Sequence, residues 1–196
     1  MQIIAHRRNS LEDLRNTPVQ YGIEMDIRSF GTELVVHHEP YTNATPFSEW
    51  LQDFKHKTLI LNVKEEGLET RVLELVHKHG IEDYFFLDQS FPFLVKTARS
   101  GERRCAVRVS EFESIQTALA ISHLIDWVWV DCFTKFPLTG NEAATLQKAG
   151  LKLCLVSPEL EGHDPEKGIP ELRSLLQREN IQADAVCTKR PDLWEK

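Results

Sequence analysis

Six residues in the first third of this chain have the types needed to cut a phosphodiester, and each stands in or just after a short apolar run. They are His6 and Arg7 after Ile3-Ile4-Ala5, Glu24 and Asp26 in Ile23–Ile27, His38 after Val35-Val36-His37, and Lys64 after Leu59–Val63. Histidine titrates close to neutral pH and can give or take a proton there. Side chains on a strand alternate with period two, so Glu24 and Asp26 share one face. Two hard oxygen ligands on one face suit Mg2+ or Ca2+. The other reading of the pair, a buried salt bridge with Arg7 or Lys64, needs excellent geometry to offset desolvation. A lysine beside carboxylates at a strand end suits a phosphate oxygen. His38 shares the parity of Val36, so the same alternation turns His37 away from it.

These residues need a frame that brings strand ends together. Apolar runs recur at Ile3–His6, Ile23–Ile27, Leu59–Lys64, Tyr84–Asp88, Cys105–Val109, Trp127–Cys132, Leu151–Val156 and Ala185–Thr188. Helical patterns lie between them. Gly67–His79 is apolar at Leu68, Val72, Leu75 and Val76, with Gly80 just beyond. Asn141–Ala149 ends at Gly150, and Pro170–Glu179 carries Leu172, Leu175 and Leu176 on one face. Regular β-then-α alternation implies a parallel sheet, and eight such units closing on themselves make a (β/α)8 TIM barrel of the α/β class. With 196 residues the barrel has to be compact. One element breaks the alternation. Gly31-Thr32 separates Asp26–Arg28 from Glu33–Val36 with no room for a helix, which predicts an extra β-hairpin after the second strand. It would carry His38 back to the edge of the site.

Barrel active sites lie at the C-terminal ends of the strands. Asn62 falls near the end of the third run, Asp88 of the fourth, Arg108 of the fifth, Asp131 of the sixth and Thr188 of the eighth. Any one of these could be a strand-end residue facing solvent; a solvated rim does not explain their recurrence. Trp127 and Trp129 share the parity of Asp131 and could be a sugar platform or internal packing. Phe91, Phe93, Phe112 and Phe133 could form an exposed patch or pack under helices.

The bulk composition narrows the classes. A net charge of −7 argues against a nucleic-acid surface, which needs a basic stripe. Hydrophobic content of 41% and charged content of 27% are those of an ordinary globular protein. No run reaches transmembrane length, and no basic-then-apolar leader opens the chain, so a cytoplasmic location is expected. Cys105, Cys132, Cys154 and Cys187 lie far apart with no C-x-x-C spacing, which favours reduced, buried thiols over a zinc site.

At these residues the chain resembles the glycerophosphodiester phosphodiesterase family, related to the phospholipase-C-like barrels. The family carries Ala-His-Arg-Gly, Glu-x-Asp, Val-Val-x-His-Asp, Glu-x-Lys and a late Thr-Asp-x-Pro. Here they read Ala5-His6-Arg7-Arg8, Glu24-Met25-Asp26, Val35-Val36-His37-His38-Glu39, Asn62-Val63-Lys64 and Thr188-Lys189-Arg190-Pro191. The resemblance implies one phosphodiesterase-like barrel domain over residues 1–196. It implies His6 and His38 as the general acid/base pair, and Arg7 and Lys64 on the phosphate. Glu24 and Asp26 would bind a divalent metal, Mg2+ or Ca2+. Arg8, Asp88, Arg108 and Asp131 are further candidates for substrate contact.

The expected function is metal-assisted hydrolysis of a small-molecule glycerophosphodiester, a reaction of lipid metabolism, or of a related, glycan-linked phosphodiester. Three departures bear on it. Arg8 replaces the family glycine. Asn62 replaces the third metal-binding carboxylate, and an amide oxygen brings one negative charge fewer. Only Pro40–Lys57 separates His38 from the third strand, which suggests an open site and a larger headgroup. The loss of the third acid, joined for the second of them by Arg8, raises two alternatives. One is a metal-free, phospholipase-C-like lyase, and the other a non-catalytic module that binds a phosphodiester or sugar phosphate.

Overall fold

The computed structural model describes residues 1–195. The elements run β1 (Gln2–Ala5), α1 (Leu11–Asn16), β2 (Gly22–Phe30), β3 (Glu33–Val36), α2 (Phe47–Asp53), β4 (Leu59–Val63), α3 (Glu69–Lys78), β5 (Tyr84–Leu87) and α4 (Phe91–Arg99). They continue β6 (Ala106–Val109), α5 (Ile115–Ala120), β7 (Trp127–Val130), α6 (Gly140–Lys148), β8 (Lys152–Val156), α7 (Pro165–Arg178), β9 (Ala185–Thr188) and α8 (Pro191–Trp194). A 3-10 turn, Pro158–Glu161, sits between β8 and α7. Four of the helices, α1, α5, α6 and α7, start where a short polar side chain caps a free amide. Ser10 accepts from Asp13 N–H, and Thr139 and Glu142 close a reciprocal capping box.

Eight strands pair in parallel in the order β5-β4-β2-β1-β9-β8-β7-β6. The two ends of that path meet at a single bridge, Phe86 with Cys105, which leaves a nearly closed barrel. β3 pairs antiparallel with β2 across the Gly31-Thr32 turn, as the hairpin reading expects. Gly31 has φ 61°, a conformation glycine adopts without the clash a side chain brings.

Strand alternation sorts the apolar residues into two cores. Ile4, Ile60, Phe85, Trp127, Trp129 and Cys187 pack together inside the barrel. Their neighbours Ala5, Leu61, Phe86, Val128 and Val186 face the helices, where Trp50, Val72 and Leu146 cover them. Trp127 and Trp129 are therefore internal packing. Phe85 stacks on Trp127 at 4.5 Å between centroids, a contact worth about 1 kcal/mol beyond burial.

The eight parallel runs read from the sequence are all present, most within one residue at either end. α7 starts earlier than the Pro170 expected, because Asp164 caps it and Pro165 occupies its first position. All four cysteines are buried and free. Among the described residues, no helix is long and apolar enough to cross a membrane.

Candidate active site

Inward positions that would otherwise continue the apolar interior are polar at the C-terminal end of the barrel. Register fixes them: in the β2–β4 ladder Glu24 pairs with Ile60 and Asp26 with Asn62. Both carboxylates are 1% exposed. They share a face, as period two requires.

Glu24 is held from two sides. Asn62 Nδ2 donates to its Oε1 at 2.8 Å, and the Arg7 N–H donates to its Oε2 at 2.7 Å. His6 Nε2 lies 3.7 Å from the same Oε2. Arg7 reaches this position at φ 51°, a left-handed conformation that costs a non-glycine residue about 1–2 kcal/mol. The turn aims its amide at Glu24 while Nε lies 3.4 Å from Asp26 Oδ2.

Asp26 is the junction of the cluster. His38 Nδ1 lies 3.3 Å from Oδ2, and Lys64 Nζ lies 3.3 Å from Oδ1. Asn9, which the sequence reading missed, donates Nδ2–H to Oδ2 at 2.8 Å and accepts the Asp26 N–H on Oδ1 at 2.9 Å. From Lys64 a charged chain continues around the rim. Lys64 Nζ is 3.0 Å from Asp88 Oδ2, Arg108 pairs with Asp88, and Arg108 NH1 is 2.9 Å from Asp131 Oδ2.

The environments drive these groups apart. Burial pushes the Glu24 carboxyl up, and the Asp26 charge adds to this, against the pull of Asn62 and Arg7. For Asp26 burial acts in the same sense, but Asn9, Lys64 and His38 outweigh it and hold the carboxyl below its usual range. Burial, followed by Arg7 and Lys189, pushes His6 down to about 3, so its ring is neutral at pH 7. Burial also raises Asp131 to about 6 despite Arg108 beside it.

The structure thus brings together His6, Arg7, Glu24, Asp26, His38, Asn62 and Lys64, with Asp88, Arg108 and Asp131 extending from them. Arg8 stands apart. Its N–H donates to Glu24 O at 2.9 Å and its carbonyl accepts from Trp50 Nε1 at 3.1 Å, but its side chain pairs with none of the cluster's carboxylates. His37 turns away as parity predicts, accepting the Glu39 N–H on Nδ1. Thr188 is fully buried and donates to Glu159 Oε1 at 2.6 Å, which fastens the 3-10 turn instead of facing the rim.

The residues can be tested as a cation site. Among the described residues, no group of three or more His, Cys, Asp and Glu side chains is placed to hold a metal. Two acids and an amide remain. Asn62 Oδ1 is a buried acceptor that receives no hydrogen bond, while Asp26 Oδ1 faces Lys64 Nζ at 3.3 Å. Unsatisfied buried oxygens are costly and call for an explanation. Together with Glu24 they form an all-oxygen donor set of the kind a hard divalent cation takes.

No protein-family model matches the chain, and no curated protein matches it significantly. Solved structures do. The chain is similar to a glycerophosphodiester phosphodiesterase from Agrobacterium tumefaciens str. C58, at 15% identity and a TM-score of 0.67, over 99% of this chain and 97% of that one. It is also similar to a mutant tryptophan synthase α-subunit from the hyperthermophile Pyrococcus furiosus, at 10% identity and a TM-score of 0.57, over 95% and 86%. The likeness is one of fold: the chain is a parallel α/β barrel that matches a glycerophosphodiester phosphodiesterase over nearly the full length of both chains.

Proposed function

We propose that the protein is a phosphodiesterase that cleaves a small-molecule phosphodiester at the mouth of the barrel. The observation that carries this reading is Asp26, a buried carboxylate ringed within 3.4 Å by Arg7, His38 and Lys64, with His6 and Glu24 beside it. Two imidazoles and two cations around one anionic pair have the composition phosphoryl transfer needs.

The phosphate enters between Arg7 and Lys64, whose charges balance its oxygens. His6, neutral and only 14% exposed, takes the proton of the attacking water or substrate hydroxyl. His38 faces solvent more, and Asp26 at Nδ1 orients its ring. Nε2, 3.8 Å from the exposed Glu39 Oε1, protonates the departing alkoxide. Glu24, Asp26 and Asn62 would hold a divalent ion, Mg2+ or Ca2+, which would stabilise charge on the phosphoryl oxygens.

A second reading has Arg7 and Lys64 supplying that charge alone, as in a metal-free lyase. Their placement on Asp26 itself favours it. The test is turnover of glycerophosphodiesters and glycan-linked phosphodiesters with Mg2+, Ca2+ or chelator. His6→Ala and His38→Ala are each expected to lose about 10²–10⁴ in kcat. Activity and a cyclic phosphate product after exhaustive chelation would select the second reading. Unchanged hydrolysis in both histidine variants would overturn either.

A further inference from the structure

We propose that the interrupted seam between β5 and β6 is a subsite for an apolar arm on one alcohol of the substrate. The inference rests on the phosphodiesterase reading and adds the substrate class. The parallel ladders elsewhere in the barrel each register at least two residue pairs, whereas β5 and β6 share only the bridge of Phe86 with Cys105. Beyond it the strands part, and a cavity of about 550 Å3 opens between them. That volume lies within the usual range for small-molecule pockets.

The apolar lining of the cavity comes from both sides of the sheet, and Gln89, Glu113, Ser114 and Thr117 complete the lining at its open side. Leu87 and Ala106 belong to the barrel's inner core, and Leu94 and Val107 to the core under the helices. The cavity adjoins the site, because Asp88 and Arg108 line it and carry the charged rim from Lys64. A groove of about 430 Å3 between Cys132 and α7 includes no member of that cluster.

The outer mouth is aromatic and held in place. Phe91 is 46% exposed and Phe112 77% exposed, the use that the scattered phenylalanines left open. The Phe112 ring lies 5.9 Å from Phe133, which in turn faces the Arg108 guanidinium. Glu111 fixes the loop that carries Phe133, accepting from the amides of Phe133, Thr134 and Lys135 and from the Thr134 hydroxyl. An exposed ring held beside a charged site is a wall ready to take hydrocarbon at low ordering cost.

The test compares methyl phosphodiesters whose second alcohol is ethyl, butyl, hexyl or choline. Both binding by calorimetry and kcat/KM are read. Affinity is expected to rise about fourfold for each methylene that enters the seam. Phe112→Ala should flatten that dependence by removing a wall, and Thr117→Trp should abolish it by filling the cavity. The slope is read within each variant, so a partly unfolded preparation does not mimic the result. Equal affinity for ethyl and hexyl esters, a preference for the choline ester, or a slope unchanged in both variants would overturn the proposal. Hydrolysis with no chain-length dependence would sink the seam alone. Chain-length-dependent binding without turnover would support the seam and sink the phosphodiesterase reading.

Discussion

Replacing Asn62 by Asp tests the oxygen cluster without relying on turnover. Asn62 Nδ2 donates to Glu24 Oε1 at 2.8 Å, and both side chains are buried. The substitution turns this donor into an acceptor and sets a third carboxylate beside Glu24 and Asp26. Removing the donor leaves the buried Glu24 Oε1 without its partner, at a cost of about 1–3 kcal/mol. Leaving a buried charge uncompensated costs about 3–5 kcal/mol, and two carboxylates sharing a proton recover part of that. A net loss of about 3 kcal/mol in chelator is the expected balance. For a chain of this size that is a fall in Tm of about 6–12 °C. A divalent cation should reverse it, because binding only the folded state at 100-fold over Kd stabilises by about 2.7 kcal/mol. Scanning calorimetry of both proteins in EDTA, Mg2+ and Ca2+ reads the effect. If Asn62→Asp melts with the wild type in EDTA, the packing argument is wrong. If it is destabilised and no divalent ion restores it, Glu24, Asp26 and Asn62 are not a cation site.

Three further outcomes follow from the same geometry. At φ 51°, Arg7→Gly should be more stable than Arg7→Ala by about 1 kcal/mol, since both lose the guanidinium and only glycine escapes the strain; equal denaturation midpoints would show that the residue relaxes. Asp131, raised to about 6 from 3.8 chiefly by burial, binds its proton more tightly folded than unfolded. Its stabilising contribution is therefore complete below about pH 4 and lost as pH rises through about 6. Asp131→Asn should flatten the decline of Tm across that window, and superimposable profiles would contradict the assignment. The losses of activity expected of the two histidine variants complete the set.

Whatever depends on local periodicity was legible in the chain. Glu24 and Asp26 point inward because both are even-numbered on β2, and Ile4, Ile60 and Asn62 follow the same rule on their own strands. The hairpin announced itself through Gly31 and the absence of space for a helix. Contacts made by loops were not legible. Asn9 lies in the turn before α1, and only the pairing of β1 with β2 brings it to Asp26, seventeen positions away. The β5–β6 seam was hidden for a related reason. Tyr84–Leu87 and Ala106–Val109 each read as good strands, and whether two strands pair along their length depends on the closure of the whole barrel. Glu111 likewise looks like any exposed acid until the 133–135 loop folds over it.

The two acids of β2 are not equivalent, and the difference explains how a buried anionic pair can sit in this barrel. Glu24 lies among neutral donors, an amide and a backbone N–H, so burial dominates and its carboxyl is driven up. Asp26, two residues further along the strand, meets Arg7, and Asn9, Lys64 and His38 outweigh the same burial. One carboxylate thus carries most of the charge, and the cations that balance it are the ones a phosphate would use. Lys64 is closer to Asp88, at 3.0 Å, than to Asp26, at 3.3 Å, and Arg7 stands off Asp26 at 3.4 Å. These are loose contacts compared with a charge-assisted hydrogen bond of about 2.7–2.9 Å. Neither cation is locked to Asp26, so turning toward an incoming anion gives up little. A divalent ion on the carboxylates would lower that cost further by taking over the charge of Asp26. Metal and phosphodiester would then favour one another's binding through a single side chain, by equal factors in both directions.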